Sequence, residues 1–137
     1  AAEHAQFGLP ESRVGLVAVA GGAHRLPRQL PHKIAMGMIL TGKPISAQEA
    51  HGWGLVNEVA PAGELMATAE RWAGEILAGA PLSVRAGKQM ARTGLDMPVD
   101  DAMSRSYSEY EKALASQDYV EGPRAFAEKR PPRWEGV

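Results

Sequence analysis

The chain has 137 residues, 45% of them hydrophobic, which suits one modest domain with an ordinary core and excludes wholesale disorder. Its 15 Lys and Arg against 16 Asp and Glu leave a formal net charge of -1, so the overall balance points to neither nucleic acid nor an acidic membrane surface, and a phosphate-bearing ligand would need a local basic cluster. The absence of cysteine excludes disulfide scaffolds, thiolate metal sites and cysteine nucleophiles, in keeping with a cytoplasmic setting.

Ala1 stands where a methionine would be expected, and no charged and apolar leader follows it, so the sequence reads as a processed or excised chain. No apolar run approaches the ~20 residues that a membrane helix needs. Residues 6–9 predict a strand, ended by Pro10 because proline cannot donate to a sheet ladder. Residues 14–20 are apolar, but Gly15, Gly21 and Gly22 punctuate the stretch, which predicts a loop or a close backbone contact. Helices follow over residues 23–30 and 32–40, the second stopped by Gly42. Ser46-Ala47-Gln48-Glu49 is a capping box, starting a short helix that stops near Gly52 or Gly54. Residues 55–59 predict a short strand or extended connector before the breakers Pro61 and Gly63.

Leu65, Ala69, Trp72 and Ile76 recur at helical spacing, marking an amphipathic helix that closes before Pro81 and whose apolar stripe must be covered. Another helix is predicted over residues 82–93, ending in Gly94. After Pro98, Asp100 and Asp101 occupy a first turn, where acids suit the positive end of the helix dipole, and Val99, Met103, Tyr107, Tyr110 and Leu114 continue one face of a single helix. The last helix opens with Ser116 as N-cap and Asp118 in its first turn, and carries Phe126 toward the tail. One strand and about six helices make an odd globule: the strand's only prospective partner in the chain is residues 55–59, and a lone strand is not stable in water.

The sequence blocks account for this imbalance. Gln6-Phe7-Gly8-Leu9-Pro10-Glu11, Gly15-Leu16, Ala20-Gly21-Gly22 with Arg25-Leu26-Pro27, and Leu40-Thr41-Gly42 with Ile45-Ser46-Ala47 and Glu49-Ala50 come first. Trp53-Gly54-Leu55-Val56-Asn57, Ala80-Pro81-Leu82, Glu121-Gly122 with Ala125-Phe126, Glu128-Lys129-Arg130 and Trp134 follow. In this order and spacing they resemble the crotonase superfamily, the enoyl-CoA hydratase/isomerase family, over essentially the whole chain, which then corresponds to that family's C-terminal half. The resemblance implies an α/β crotonase-like fold overall, a superhelix of ββα turns, of which this chain is the mostly α-helical part with one or two short strands. Residues 1–60 would be the end of the spiral core, carrying an acid/base loop, and residues 61–137 a helical trimerisation region. Most of the sheet would lie upstream.

Glu11 by itself is a carboxylate after a proline on a loop, and such residues are usually solvated. The resemblance reverses that reading, because in the family the glutamate of this block faces the α and β carbons of an acyl-CoA and gives or takes a proton. That role needs a carboxyl held partly out of water, since a freely solvated one carries almost no proton at neutral pH. The apolar run at residues 14–20 is the expected source of that environment. Gly21 and Gly22 before a helix suit either a phosphate site or close packing, the second being the plainer reading. Ala18 and Val19 stand where the family often has proline and glycine. The backbone amide at the Val19 position helps place the catalytic water in hydratases, and the branched side chain here counts against simple water addition.

Phe126 and Lys129 lie three apart on the last helix, so they are expected to share a face. A core phenylalanine and a solvated lysine are the plain alternative; in the family these positions approach the adenine and phosphates of CoA, with Arg130 and Arg133 adding positive potential. His4, His24, His32 and His51 show no metal-ligand spacing, and no serine sits in a nucleophile elbow. Tyr107, Tyr110, Met97 and Met103 read as packing or oligomer contacts.

By resemblance the activity is that of an acyl-CoA lyase or isomerase of fatty acid metabolism, foremost an enoyl-CoA hydratase. An enoyl-CoA isomerase and a carnitinyl-CoA-type dehydratase are alternatives, the last suggested by Met97-Pro98-Val99-Asp100-Asp101-Ala102 and Glu121-Gly122-Pro123. From another class, a non-catalytic assembly or binding module remains. The substrate is an acyl-CoA thioester, with no separate cofactor, no metal, no nucleic acid and no membrane, in a homotrimer or hexamer. A second glutamate and the oxyanion-hole amides would lie upstream, leaving this chain by itself incomplete and inactive.

Overall fold

Helix punctuation decides most of the local structure. In the computed structural model, which describes residues 1–137, β1 (Gln6–Phe7) leads into a 3-10 helix at Pro10–Val14, then α1 (Gly22–Gln29) and α2 (His32–Thr41). Gly42 ends α2 in the left-handed conformation, φ 61°, with its N–H donated to the Met38 carbonyl. β2 (Ile45–Ser46) follows, then α3 (Ala47–Gly52), whose capping box is complete: Glu49 N–H donates to Ser46 Oγ at 3.2 Å and Ser46 N–H to Glu49 Oε2 at 2.8 Å.

The chain forms two compact units, Ala1–Glu70 and Arg71–Val137. In the first, Leu30, Ala35, Met38, Ile45 and Ala50 make a buried core, with Phe7, Ile34 and Trp53 packed against it. The strand at the N-terminus does have a partner in the chain, but a different one from that expected. β1 pairs antiparallel with β2, Gln6 opposite Ser46 and Phe7 opposite Ile45, while residues 55–59 form no strand and only Ala60 makes a parallel bridge, to Ala2. Burial explains the choice, because Ile45 is a core residue and pairing there brings Phe7 onto the same core.

α4 (Leu65–Leu77) runs across the boundary between the units. In the second unit α5 (Pro81–Gly94) packs against α7 (Ser108–Leu114) through Leu82, Ala86 and Ala113, and Gln89 joins them, accepting from Glu109 N–H at 3.0 Å and donating to Ser108 Oγ at 3.2 Å. The single helix expected after Pro98 is two: α6 (Val99–Ser104) stops, and Arg105 and Tyr107 are extended. Tyr107 turns inward, 4% exposed, and its hydroxyl donates to the Ala102 carbonyl at 2.9 Å, so burial of one aromatic ring outweighs continuation of the helical face.

α8 (Asp118–Ala127) has Gln117 rather than Ser116 at its N-cap position, although Ser116 Oγ still accepts from Tyr119 N–H at 3.3 Å. The tail, residues 131–137, is irregular and is tied back to its own unit by side chains. Asp118, 3% exposed, accepts from the N–H groups of Glu135 at 2.7 Å and Gly136 at 3.0 Å, and the Trp134 indole donates to the Ala78 carbonyl at 2.8 Å. A side chain at Gly122 would meet the Trp134 ring at 3.2 Å, so the glycine makes room for it.

Candidate functional site

Glu11 lies in the first turn of the 3-10 helix, directly after Pro10, whose fixed φ suits a helix start. The helix is short and is anchored from both sides. Gly15 caps it in the left-handed conformation and donates to the Glu11 carbonyl, as does Leu16 N–H at 2.9 Å. On the other side Arg13 Nε donates to the Thr41 carbonyl at 2.9 Å, fastening the turn to the end of α2. That contact relies on Gly42, where a Cβ would come within 2.9 Å of Arg13 Cγ.

The Glu11 side chain is half-buried, and its Oε2 is closed off from solvent without any hydrogen-bond partner. Buried polar atoms are nearly always paired, so a buried carboxylate oxygen with no donor is an exception to that rule. No internal hydrogen bond competes for that oxygen, which leaves it open to take or deliver a proton. The apolar run contributes differently from expectation: Ala18 is buried, but Val14, Leu16, Val17 and Val19 stand exposed. Val14 closes the 3-10 helix and the others follow it in the chain, so this apolar segment is largely uncovered.

Val19 is 78% exposed, and its N–H is donated to the Val17 carbonyl at 2.7 Å. The amide expected to place a water is therefore engaged within its own turn. At Gly22 close packing prevails: a Cβ there would lie 2.7 Å from Leu9 Cδ2 and 3.2 Å from Ala18 Cβ. No group of three or more His, Cys, Asp or Glu residues is arranged to hold a metal ion.

Phe126 and Lys129 belong to the second unit and do not share a helical face. α8 ends at Ala127, Phe126 is 88% exposed, and Lys129 lies beyond the helix with φ 53°. The turn closes by two backbone bonds, Lys129 N–H to the Phe126 carbonyl at 3.2 Å and Arg130 N–H to the Ala125 carbonyl at 3.1 Å, a Schellman ending with lysine where glycine is usual. The expected positive contribution of Arg130 is also absent, because its guanidinium is neutralised. It donates to both oxygens of Glu121, at 2.7 and 2.8 Å, and to Glu128 at 2.6 Å. These bonds and the Arg133 N–H hold the Glu121 carboxyl at a pKa of about 2, against an ordinary 4.5.

Sequence reading missed the Glu121–Arg130 pair and the role of Asp118. Glu121 and Arg130 are nine residues apart and Asp118 binds amides 17 and 18 residues away, separations at which no local pattern signals a partner. The available signal was the recurrence of Glu121 and Arg130 within the motif blocks, which marked them as fixed without saying to what.

With this geometry in view, the family model described as enoyl-CoA hydratase/isomerase matches residues 1–137. Carnitinyl-CoA dehydratase of Salmonella arizonae is 44% identical over 139 aligned residues, covering 98% of the chain and 53% of the relative. Among solved structures, enoyl-CoA hydratase EchA1 from Mycobacterium marinum superposes with a TM-score of 0.91 at 40% identity, covering 99% of the chain and 54% of the other. Enoyl-CoA hydratase from Bacillus anthracis does so with a TM-score of 0.92 at 36% identity, covering 99% and 53%. The chain spans about half the length of the relatives it matches.

Proposed function

The chain belongs to the enoyl-CoA hydratase/isomerase family, and on that premise we propose that the whole protein adds water to, or removes it from, an acyl-CoA thioester with Glu11 as a proton-transfer residue. The observation that carries this reading is the buried, unpartnered Glu11 Oε2 on a turn anchored by Arg13 and Gly15. In hydration the water oxygen bonds to Cβ of an enoyl thioester as one water proton passes to a base, the Cα=Cβ π pair moves toward the carbonyl to give an enolate, and protonated Glu11 delivers a proton to Cα. Dehydration runs the same steps backward, so similarity to hydratases and to a carnitinyl-CoA dehydratase supports one chemistry. By family resemblance, the amides that hold the thioester carbonyl and the second glutamate that handles the water belong to sequence outside this chain; such an oxyanion hole stabilises the enolate.

A second reading, double-bond isomerisation, is favoured by the Val19 amide, because a donor already bonded to the Val17 carbonyl is poorly placed to hold a water. Isomerisation needs only proton removal and return at carbon, which one carboxylate can perform. The free Lys129 and the exposed Phe126 support contact with the phosphates and adenine of CoA. Self-association as a trimer or hexamer is supported by exposed apolar residues on α4, α6 and the segment between α5 and α6, among them Ile76, Leu77, Leu95 and Met103. A cytoplasmic location is part of the same proposal; no helix is long and apolar enough to cross a membrane.

Glu11→Gln in the whole protein tests the central claim. The amide keeps the side chain's shape but cannot exchange the proton, so binding of crotonyl-CoA should persist while kcat falls by about 10²–10⁴-fold. Exchange of the α proton with solvent deuterium, followed alongside hydration, reports the same group if the reaction is isomerisation. Near-normal rates in both assays would reduce Glu11 to a loop carboxylate.

A further inference from the structure

The segment after α8 carries three consecutive charges, Glu128, Lys129 and Arg130, and the structure treats the middle one differently from its neighbours. Glu128 accepts from Arg124 Nε at 2.9 Å and from Arg130 Nε at 2.6 Å, and Arg130 forks onto both oxygens of Glu121. Glu121 further accepts the Arg133 N–H at 2.8 Å. Two acids and two arginines thus form a closed set with no net charge. The Lys129 side chain, exposed, makes no hydrogen bond and no ion pair, so it is the one uncompensated charge of the turn.

Its backbone is held where a lysine does not settle by itself. A φ of 53° lies in the left-handed region that disfavours a side chain with a Cβ, and no side-chain hydrogen bond or ion pair of Lys129 offsets it. What stabilises the turn is the residue after it: Arg130 N–H closes the Schellman bond, and the Arg130 guanidinium is fixed to α8 through Glu121 and Glu128. A bidentate arginine–carboxylate pair restrains direction as well as distance. Anchoring the residues on both sides of Lys129 therefore sets the direction in which its side chain leaves the backbone.

We propose that Glu121 and Arg130 are positioning residues: their pairing fixes the Lys129 turn, and through it the affinity for the nucleotide end of a CoA thioester. The inference rests on the reading of Lys129 given above and adds the residues that aim it. It predicts a loss confined to the part of the ligand that carries phosphate.

Calorimetric titration of the whole protein with CoA, and with pantetheine, which lacks the nucleotide, tests it. Lys129→Ala should weaken CoA binding roughly tenfold, the size of one charge-assisted contact, and leave pantetheine binding unchanged. Glu121→Gln, which keeps the size of the side chain, and Arg130→Lys, which keeps its charge but lacks the fork, should each reproduce most of that loss, again for CoA only. In the Lys129→Ala background neither should weaken binding further, since one contact can be lost only once. If one of the two variants fails to fold, the other carries the same comparison. A loss with Lys129→Ala but none with Glu121→Gln or Arg130→Lys overturns the positioning role alone, as do fully additive losses or equal losses for pantetheine. A silent Lys129→Ala overturns both the lysine contact and its positioning.

Discussion

Gly42→Ala tests how the Glu11 turn is held. Gly42 sits at φ 61°, so any Cβ costs about 1–2 kcal/mol in backbone strain. The added methyl would also lie 2.9 Å from Arg13 Cγ and 3.1 Å from Ser12 Oγ, so the Arg13 side chain or the 3-10 helix that carries it must shift. If Arg13 swings away, its bond to the Thr41 carbonyl is lost as well, worth about 1 kcal/mol. The total is about 2–3 kcal/mol, and the displaced turn carries Glu11. Gly63→Ala supplies the control, because Gly63 has φ 83° but nothing within 4 Å of a new Cβ, so only the backbone term applies there. Urea unfolding of the whole protein should place Gly42→Ala at least 1 kcal/mol below Gly63→Ala, with a fall in kcat for the first and none for the second. Equal stabilities, or an unchanged kcat in Gly42→Ala, would refute the claim that contact with Gly42 and Thr41 positions the Glu11 turn.

Two further outcomes follow from individual contacts. The Glu121 carboxyl is held at about 2 by hydrogen bonds from Arg130 and Arg133, so its contribution to stability is complete above about pH 4.5 and is lost as the pH falls toward 2; Glu121→Gln should flatten that part of a stability–pH curve, leaving a residual slope from Glu49 and Glu128, which are lowered in the same direction. Tyr107→Phe removes the buried hydroxyl that donates to the Ala102 carbonyl, and should lower the urea midpoint by the equivalent of about 1–2 kcal/mol with the slope unchanged; an unchanged midpoint would show that packing of the ring alone stops α6.

Sequence signals acting over three or four residues were legible. The capping box at Ser46, the stop at Gly42 and the close of α4 before Pro81 depend on neighbours within one turn, and each stands where the residues predicted it, whereas the Glu11 loop is a short 3-10 helix and Pro81 itself opens α5. Glu11 was legible as a candidate, but the isolation of its Oε2 was not, because enclosure depends on side chains brought together by folding.

Tertiary structure decided the rest wherever a local preference met a distant contact. Residues 55–59 have the composition of a strand, yet β1 joins Ile45–Ser46 because that pairing buries Phe7 and Ile45 on one core. The face running from Val99 to Leu114 is continuous in sequence, yet burial of Tyr107 breaks it into α6 and α7. Helical spacing places Phe126 and Lys129 side by side, yet Glu121, nine residues before Arg130, holds a turn that takes Lys129 off the helix. Periodicity describes what a segment can become from its own torsions and nearest neighbours, whereas the partner that selects among those states acts through space, and its position is set only by the folded chain.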